Sequence, residues 1–240
     1  MKVLIPKQHG AWAMLAVPFI LGVVGGGADG RHVPLFIGWL FLYLAAFPVT
    51  MMVKKKKTAY YQKWAGVYSI PAVSFLVIAV WMEPGLVLLG VSLFPLFLIN
   101  LYYAKTNNDR ALLNDIAAIG VFSAGGVASY WIGAGMLDGW AWFIFIQSIL
   151  FFTGSAFYVK SMIREKKNKR FKWYSWGYHT VLPILSLGFG AGWAVVGLIP
   201  SSIRAWLFYG RKLSVKKIGI FELVNACVFL TVVSVFLLRI

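Results

Sequence analysis

Acidic residues are the scarcest chemistry in this chain: seven Asp and Glu among 240 residues, against 23 Lys and Arg. Cysteine is rarer still. Cys227 stands alone, so no intramolecular disulfide can form and a thiol nucleophile has no supporting set. Long polar stretches are missing too, because charged residues make up only 12% of the chain. What fills their place is 60% hydrophobic residues, 17% aromatics and a mean hydropathy of +0.78, a composition that excludes an ordinary soluble fold. The reading is a polytopic membrane protein. The +16 net charge would point to nucleic acid in a soluble protein, but here the basic residues fall between apolar spans, where they encode topology. Nucleic acid is therefore not an expected partner. The N-terminus lacks a small-residue cleavage pattern, and its apolar run, broken by Pro18 and followed by Gly25, Gly26 and Gly27, reads as a retained first helix.

A hydrocarbon core of about 30 Å needs roughly 20 apolar residues per helix. Cut at charged and Gly/Pro breaks, the chain yields spans near 11–27, 34–53, 66–82, 85–104, 112–134, 139–160, 174–189, 191–209 and 218–238. The fold class is all-α, a polytopic transmembrane bundle of about nine helices forming one transmembrane domain over 1–240. The stretch from 174 to 209 is divided by parity, since the basic clusters on either side belong in one compartment, and Gly188, Gly190 and Gly192 supply the turn. Alternate loops then differ sharply. The N-terminal segment and the loops after the even-numbered spans hold 21 of the 23 Lys and Arg, leaving Arg31 and Arg239 on the other face. The positive-inside rule makes the N-terminus cytoplasmic, and the location is a plasma membrane crossed several times. Bilayer lipid, with anionic phospholipid at the basic loops, is the general partner; Lys54 to Lys57 form such a patch.

Polar residues concentrate between the fourth and fifth spans, where Lys105, Asn107, Asn108, Asp109, Arg110, Asn114 and Asp115 crowd together. Hard cations take oxygen ligands and phosphates take Lys and Arg. Asn108, Asp109 and Asp115 are thus candidate ligands for Mg²⁺, and Lys105, Asn107, Arg110 and Asn114 candidate substrate contacts. On a continuous helix Asp109 and Asp115 lie about 120° apart, so one ion would need a bend between them. Helix capping by Asn108 or Asp109 is the plainer alternative. Lys160 and Arg164, at i,i+4, are placed to grip a diphosphate or to begin a basic loop. Lys7 and His9, before the first span, are candidates for an anionic head group, or interfacial anchors with Trp12. Arg204 and Glu222 would be costly facing lipid, so each points inward, to substrate or to the other. His179 lies on an apolar helix with Tyr178 and Thr180 as candidate partners.

Three stretches, PKQHGAWAM from Pro6, YYAKTNNDRALLND from Tyr102 and YVKSMIRE from Tyr158, resemble the YwiC-like family of bacterial membrane proteins over essentially the whole chain. That family implies no activity. A more distant resemblance is to the UbiA-type membrane prenyltransferases, in helix number, orientation and the Asn-Asp-rich inner segment. It implies a magnesium-bound isoprenoid diphosphate, or another lipid-linked phosphate, as substrate. The superfamily's first acidic motif, NDxxDxxxD, belongs after the second helix; here the nearest match follows the fourth, and aligned from Asn107 only Asp115 fits. Two further readings stand beside prenyl transfer: a permease for a small anionic solute with His179 on the path, and a non-catalytic membrane assembly protein. Transport predicts polar groups at the midplane and a route onward.

Overall fold

A computed structural model describes residues 3–6, 9–55 and 58–239; for His9 it describes the backbone alone. Among these residues there is no strand, and nine α-helices follow one another: α1 His9–Gly26, α2 His32–Val53, α3 Thr58–Met82, α4 Leu86–Lys105, α5 Leu112–Ala134, α6 Gly139–Val159, α7 Lys169–Gly188, α8 Ile199–Leu207 and α9 Val215–Leu237. Two short segments complete them. A π-helical turn, Lys160–Arg164, extends α6, and a 3₁₀ stretch, Gly192–Leu198, leads into α8. Six of the helices, α2 to α6 and α9, are long and apolar enough to cross a membrane; α1 is a shorter apolar helix.

The expected spans correspond to these elements with three differences. The helix expected at 66–82 begins eight residues earlier, at Thr58, and takes in Tyr60, Tyr61 and Lys63 of the basic and aromatic stretch. The span placed at 191–209 is a 3₁₀ segment followed by a nine-residue helix, because Gly190 and Gly192 hold positive φ of 81° and 50° and Pro200 enters at the second position of α8. The helix at 174–189 begins five residues earlier, at Lys169, where the Asn168 side chain accepts from the Arg170 amide. Basic residues therefore form its first turn and lower its hydropathy. Prolines sit inside α1, α2, α3, α4 and α7, as membrane helices tolerate where neighbouring groups take up the freed carbonyls.

Close helix packing rests on small residues. Gly22 and Gly26, four apart on α1, meet Gly126, Tyr130 and Gly133 of α5: a Cβ on Gly22 would stand 2.3 Å from the Gly126 carbonyl oxygen, and one on Gly126 2.7 Å from that of Pro18. The backbones touch because there is nothing between them, which is how helices associate where lipid removes the hydrophobic drive. Ser129 Oγ donates to the Phe19 carbonyl at 2.8 Å and seals the same seam. Around this pair, α6 and α9 close the main core, with Phe151 and Phe229 stacked at 4.2 Å. A second core gathers Leu15, Leu35, Trp39, Ala79 and Ile132 from α1, α2, α3 and α5.

Loop contacts sort the helix ends into two sets. At one end Arg31 bonds Asp29 at 3.0 Å and the Ile132 carbonyl at 2.7 Å, and lies 3.8 Å from Glu83. There Asp138 caps α6, accepting from the Trp140 amide at 2.8 Å and from the Tyr130 hydroxyl at 2.8 Å. The Arg31 side chain and amide, donating to Asp29, hold that carboxyl below the usual carboxylate range. At the other end lie the basic loops, and with them the polar side chains of interest.

Candidate functional site

The chain between α4 and α5 does bend. α4 stops at Lys105, Asn107 takes a left-handed φ of 54°, and α5 starts after Ala111, an extended residue with no side-chain cap. Neither Asn108 nor Asp109 caps the helix. The bend does not bring the two aspartates to one ion. Asp109 pairs with Lys54, while Asp115 lies 2.8 Å from Lys160 Nζ and 3.9 Å from Arg164. Among the described residues no group of three or more His, Cys, Asp or Glu side chains is placed to hold a metal. With each carboxylate already facing a cation, and Asn108 exposed to solvent, this donor set does not fit the Mg²⁺ expected there.

The remaining candidates divide. Asn114 is a bracket: its amide donates to the Asp109 carbonyl at 2.9 Å, and its side-chain oxygen accepts from Asn100 at 3.0 Å. Lys160 is buried at the start of the π turn and also donates to the Arg110 carbonyl at 2.5 Å, so it ties the α4–α5 loop to α6. Lys105, Asn107 and the Arg110 side chain are exposed. Lys7, Lys56 and Lys57 lie outside the described residues, as does the His9 side chain.

Arg204 lies elsewhere, and deeper. It is buried between helices, paired with Glu222 of α9, with its Nη2 3.2 Å from Ser155 Oγ and its guanidinium 4.5 Å over the Tyr158 ring of α6. Pairing with Glu222 is one of the two alternatives the sequence left open for Arg204, the other being a substrate contact. Glu222 stands seven residues into α9, about 10 Å from its basic end at 1.5 Å per residue. On α7, His179 is fully buried near the helix middle. Its Nδ1 lies 2.7 Å from the Ser175 carbonyl and so carries the proton, which leaves Nε2 an acceptor. Tyr178 packs edge-on to it, and Thr180 bonds Trp176 instead. Gly154 faces that nitrogen; a Cβ there would stand 3.2 Å away.

These residues form one group. Ser202, two before Arg204, donates to the His179 carbonyl at 2.9 Å, joining α8 to α7. Within the group Arg204 Nε, Tyr158 Oη, Ser175 Oγ and His179 Nε2 are buried and have no hydrogen-bond partner among the described residues. Polar contacts continue away from the basic end through Ser201 and Asn225 at 2.9 Å, then Gln147 and Ser186 at 2.6 Å. Beyond the Arg204 group, α6 to α9 thus carry two further buried polar pairs, each bonded within itself and set in the apolar core of Phe151, Leu182, Leu198 and Phe229. Gly154, Ser155 and Ser175 were not sequence candidates, although the run Thr153, Gly154, Ser155 interrupts an aromatic helix and was the available signal.

A family profile described as YwiC-like protein matches residues 5–130. An uncharacterized Bacillus subtilis protein, YwiC, is 61% identical over 239 residues, covering the full length of both chains. An uncharacterized protein of Haemophilus influenzae is 33% identical over 229 residues, spanning 95% of this chain and 96% of its own. No solved structure matches. None of these relatives is described as a prenyltransferase.

Proposed function

The chain belongs to the YwiC-like family, and from that premise we propose that it is a multi-pass protein of the bacterial plasma membrane that carries a small anion, bound at Arg204 between α6, α7, α8 and α9. The observation that carries this reading is the unspent hydrogen-bonding capacity around a buried guanidinium. A purely structural ion pair in a low-dielectric interior persists when its remaining protons and lone pairs are satisfied. Here Arg204 Nε and the Tyr158 hydroxyl are buried donors without partners among the described residues, near an ion pair and a Ser155 hydroxyl. Unpaired polar groups in a bundle cost free energy that a ligand taking their bonds returns. The buried pairs Ser201–Asn225 and Gln147–Ser186 place further polar groups along the same four elements, where a carrier needs them. The basic loops would face the cytoplasm and collect anions at the inner mouth.

Prenyl transfer is the less favoured reading. It would require Asp109 and Asp115 to exchange Lys54, Lys160 and Arg164 for a metal. The deciding experiment is flux in proteoliposomes: a panel of labelled small carboxylates, with phosphate for comparison, against empty liposomes and the Arg204→Met/Glu222→Leu double variant. Flux of a carboxylate lost in the double variant supports the reading. Folded wild-type protein that moves none of the panel would sink it.

A further inference from the structure

The seat of Arg204 already holds a carboxylate, that of Glu222, and this has a consequence for whatever anion enters. We infer that Glu222 is the proton carrier of the site: a small carboxylate displaces it from Arg204, and Glu222 leaves as the neutral acid, so one proton is taken up for each anion bound. The inference rests on the anion-carrier reading above and names both its ligand class and its coupling.

Arg204 and Glu222 together are neutral and buried, with side chains 5% and 13% exposed. A second carboxylate entering beside them would leave a net negative charge in a low-dielectric interior, which is expensive unless it is paired. Protonating Glu222 removes the excess: its carboxylate oxygen gains a proton from solution, its bond to the guanidinium opens, and the incoming carboxylate takes its place. The fork of a guanidinium accepts one planar carboxylate much as another, so the ligand class follows from the residue displaced. Ser155 Oγ, 3.2 Å from Nη2, lies beside that fork to donate to the newcomer, and the guanidinium rests over the Tyr158 ring.

Among the described residues the competing proton acceptor is His179. The elements packed against α9 are α1, the 3₁₀ segment and α8, with α6 joined to it through Phe151 and Phe229. At its basic end Ile218 and Phe221 also meet Met162 of the π turn and Phe208 of the loop before α9, stretches whose ionisable groups are Lys160, Arg164, Tyr209, Arg211 and Lys212 and include no carboxylic acid. Residues 10–26 of α1 and the segment Gly192–Leu198 contain no ionisable side chain. From α8 comes Arg204 itself, from α6 Tyr158, and from α7, behind Gly154, His179. Lys216 and Lys217, on the first turn of α9, are exposed. A proton on His179 Nε2 would stand as a second cation near Arg204 while Glu222 kept its charge. Glu222, the more exposed member of the pair and nearer the basic end, has the shorter way to water.

The test is calorimetry of sodium formate binding to the full-length protein in detergent at pH 7, in two buffers of different protonation enthalpy, with wild type, Glu222→Gln and the Arg204→Met/Glu222→Leu double variant. The expected result is uptake of one proton per formate by wild type, with affinity falling about tenfold per pH unit above neutrality. Glu222→Gln is expected to bind formate without proton uptake, and the double variant not to bind. An infrared difference spectrum of wild type should gain a carboxylic-acid carbonyl band on binding, a readout that needs no variant to fold. Formate binding by wild type without proton uptake overturns the coupling and leaves the anion site standing. Proton uptake that persists in Glu222→Gln assigns the carrier to His179 and likewise overturns it. Absence of formate binding to wild type, or equal binding by the double variant, removes the Arg204 site and the inference with it.

Discussion

Lys160 shows how one side chain is spent on architecture where a ligand contact was expected. It is 4% exposed, and its ammonium reaches Asp115 on α5 and the Arg110 carbonyl at once. Replacing it with Met leaves the Asp115 carboxylate with Arg164 at 3.9 Å and limited access to water. A loss of about 2 kcal/mol is expected, below the range for a fully buried pair, because that partner and water remain. Thermal unfolding in detergent of Lys160→Met, Asp115→Asn and the double variant measures it; additive losses would mean the two groups do not interact. Asp29 makes a pH-dependent contribution at the opposite end. Its folded pKa is depressed, chiefly by the Arg31 side chain and then by the Arg31 amide. That stability is present above the unfolded pKa and lost as pH falls through the folded one. The acid side of a melting profile should therefore flatten in Asp29→Asn, and an unchanged profile would assign the acid transition to other carboxylates.

Among the elements, the α1–α5 pair bears the closest contact, and glycine is the reason. Gly126→Leu places a branched side chain where even a Cβ lies 2.7 Å from the Pro18 carbonyl oxygen, so the helices must separate. Overpacking of this kind costs typically 1–3 kcal/mol, roughly the drop expected in detergent unfolding. Gly90, on the open face of α4 with nothing within 4 Å, is the control: Gly90→Leu should leave stability near wild type. Because Gly→Leu favours the helix by propensity at both positions, equal losses would show that the close approach at Gly126 is not what sets the effect. The π turn at Lys160–Arg164 is a second local device. It shifts the register at the end of α6 so that Lys160 and Arg164 both reach Asp115, rather than lining up as a simple i,i+4 pair for phosphate.

For the whole molecule, the sided distribution of charge makes a topological prediction. In a Cys227→Ala background, Leu137→Cys should react with a membrane-impermeant maleimide on intact cells, and Lys212→Cys only after the membrane is opened. The reverse pattern would invert the chain in the bilayer and move the basic mouth outside.

Hydropathy and charge determined the broad plan from sequence alone. Spans of bilayer length must be apolar, and Lys and Arg must collect between them, so nine helical segments and two unlike ends were legible. The pairing of Arg204 with Glu222 was legible as one of two alternatives, the other being a substrate contact, because two opposite charges within spans have few other partners. Everything that depends on which helices touch was not. Asp109 meets Lys54 and Asp115 meets Lys160 across 55 and 45 positions of sequence, so the densest polar stretch turned out to be ion-paired. The group around Arg204 draws Gly154, Ser155 and Tyr158 from α6, Ser175 and His179 from α7 and Glu222 from α9. Small and hydroxyl residues carry almost no signal in a linear chain, since their value lies in what they let approach or bond. Only the packing of four helices could say that Ser155 and Tyr158 meet Arg204 and that Gly154 and Ser175 meet His179.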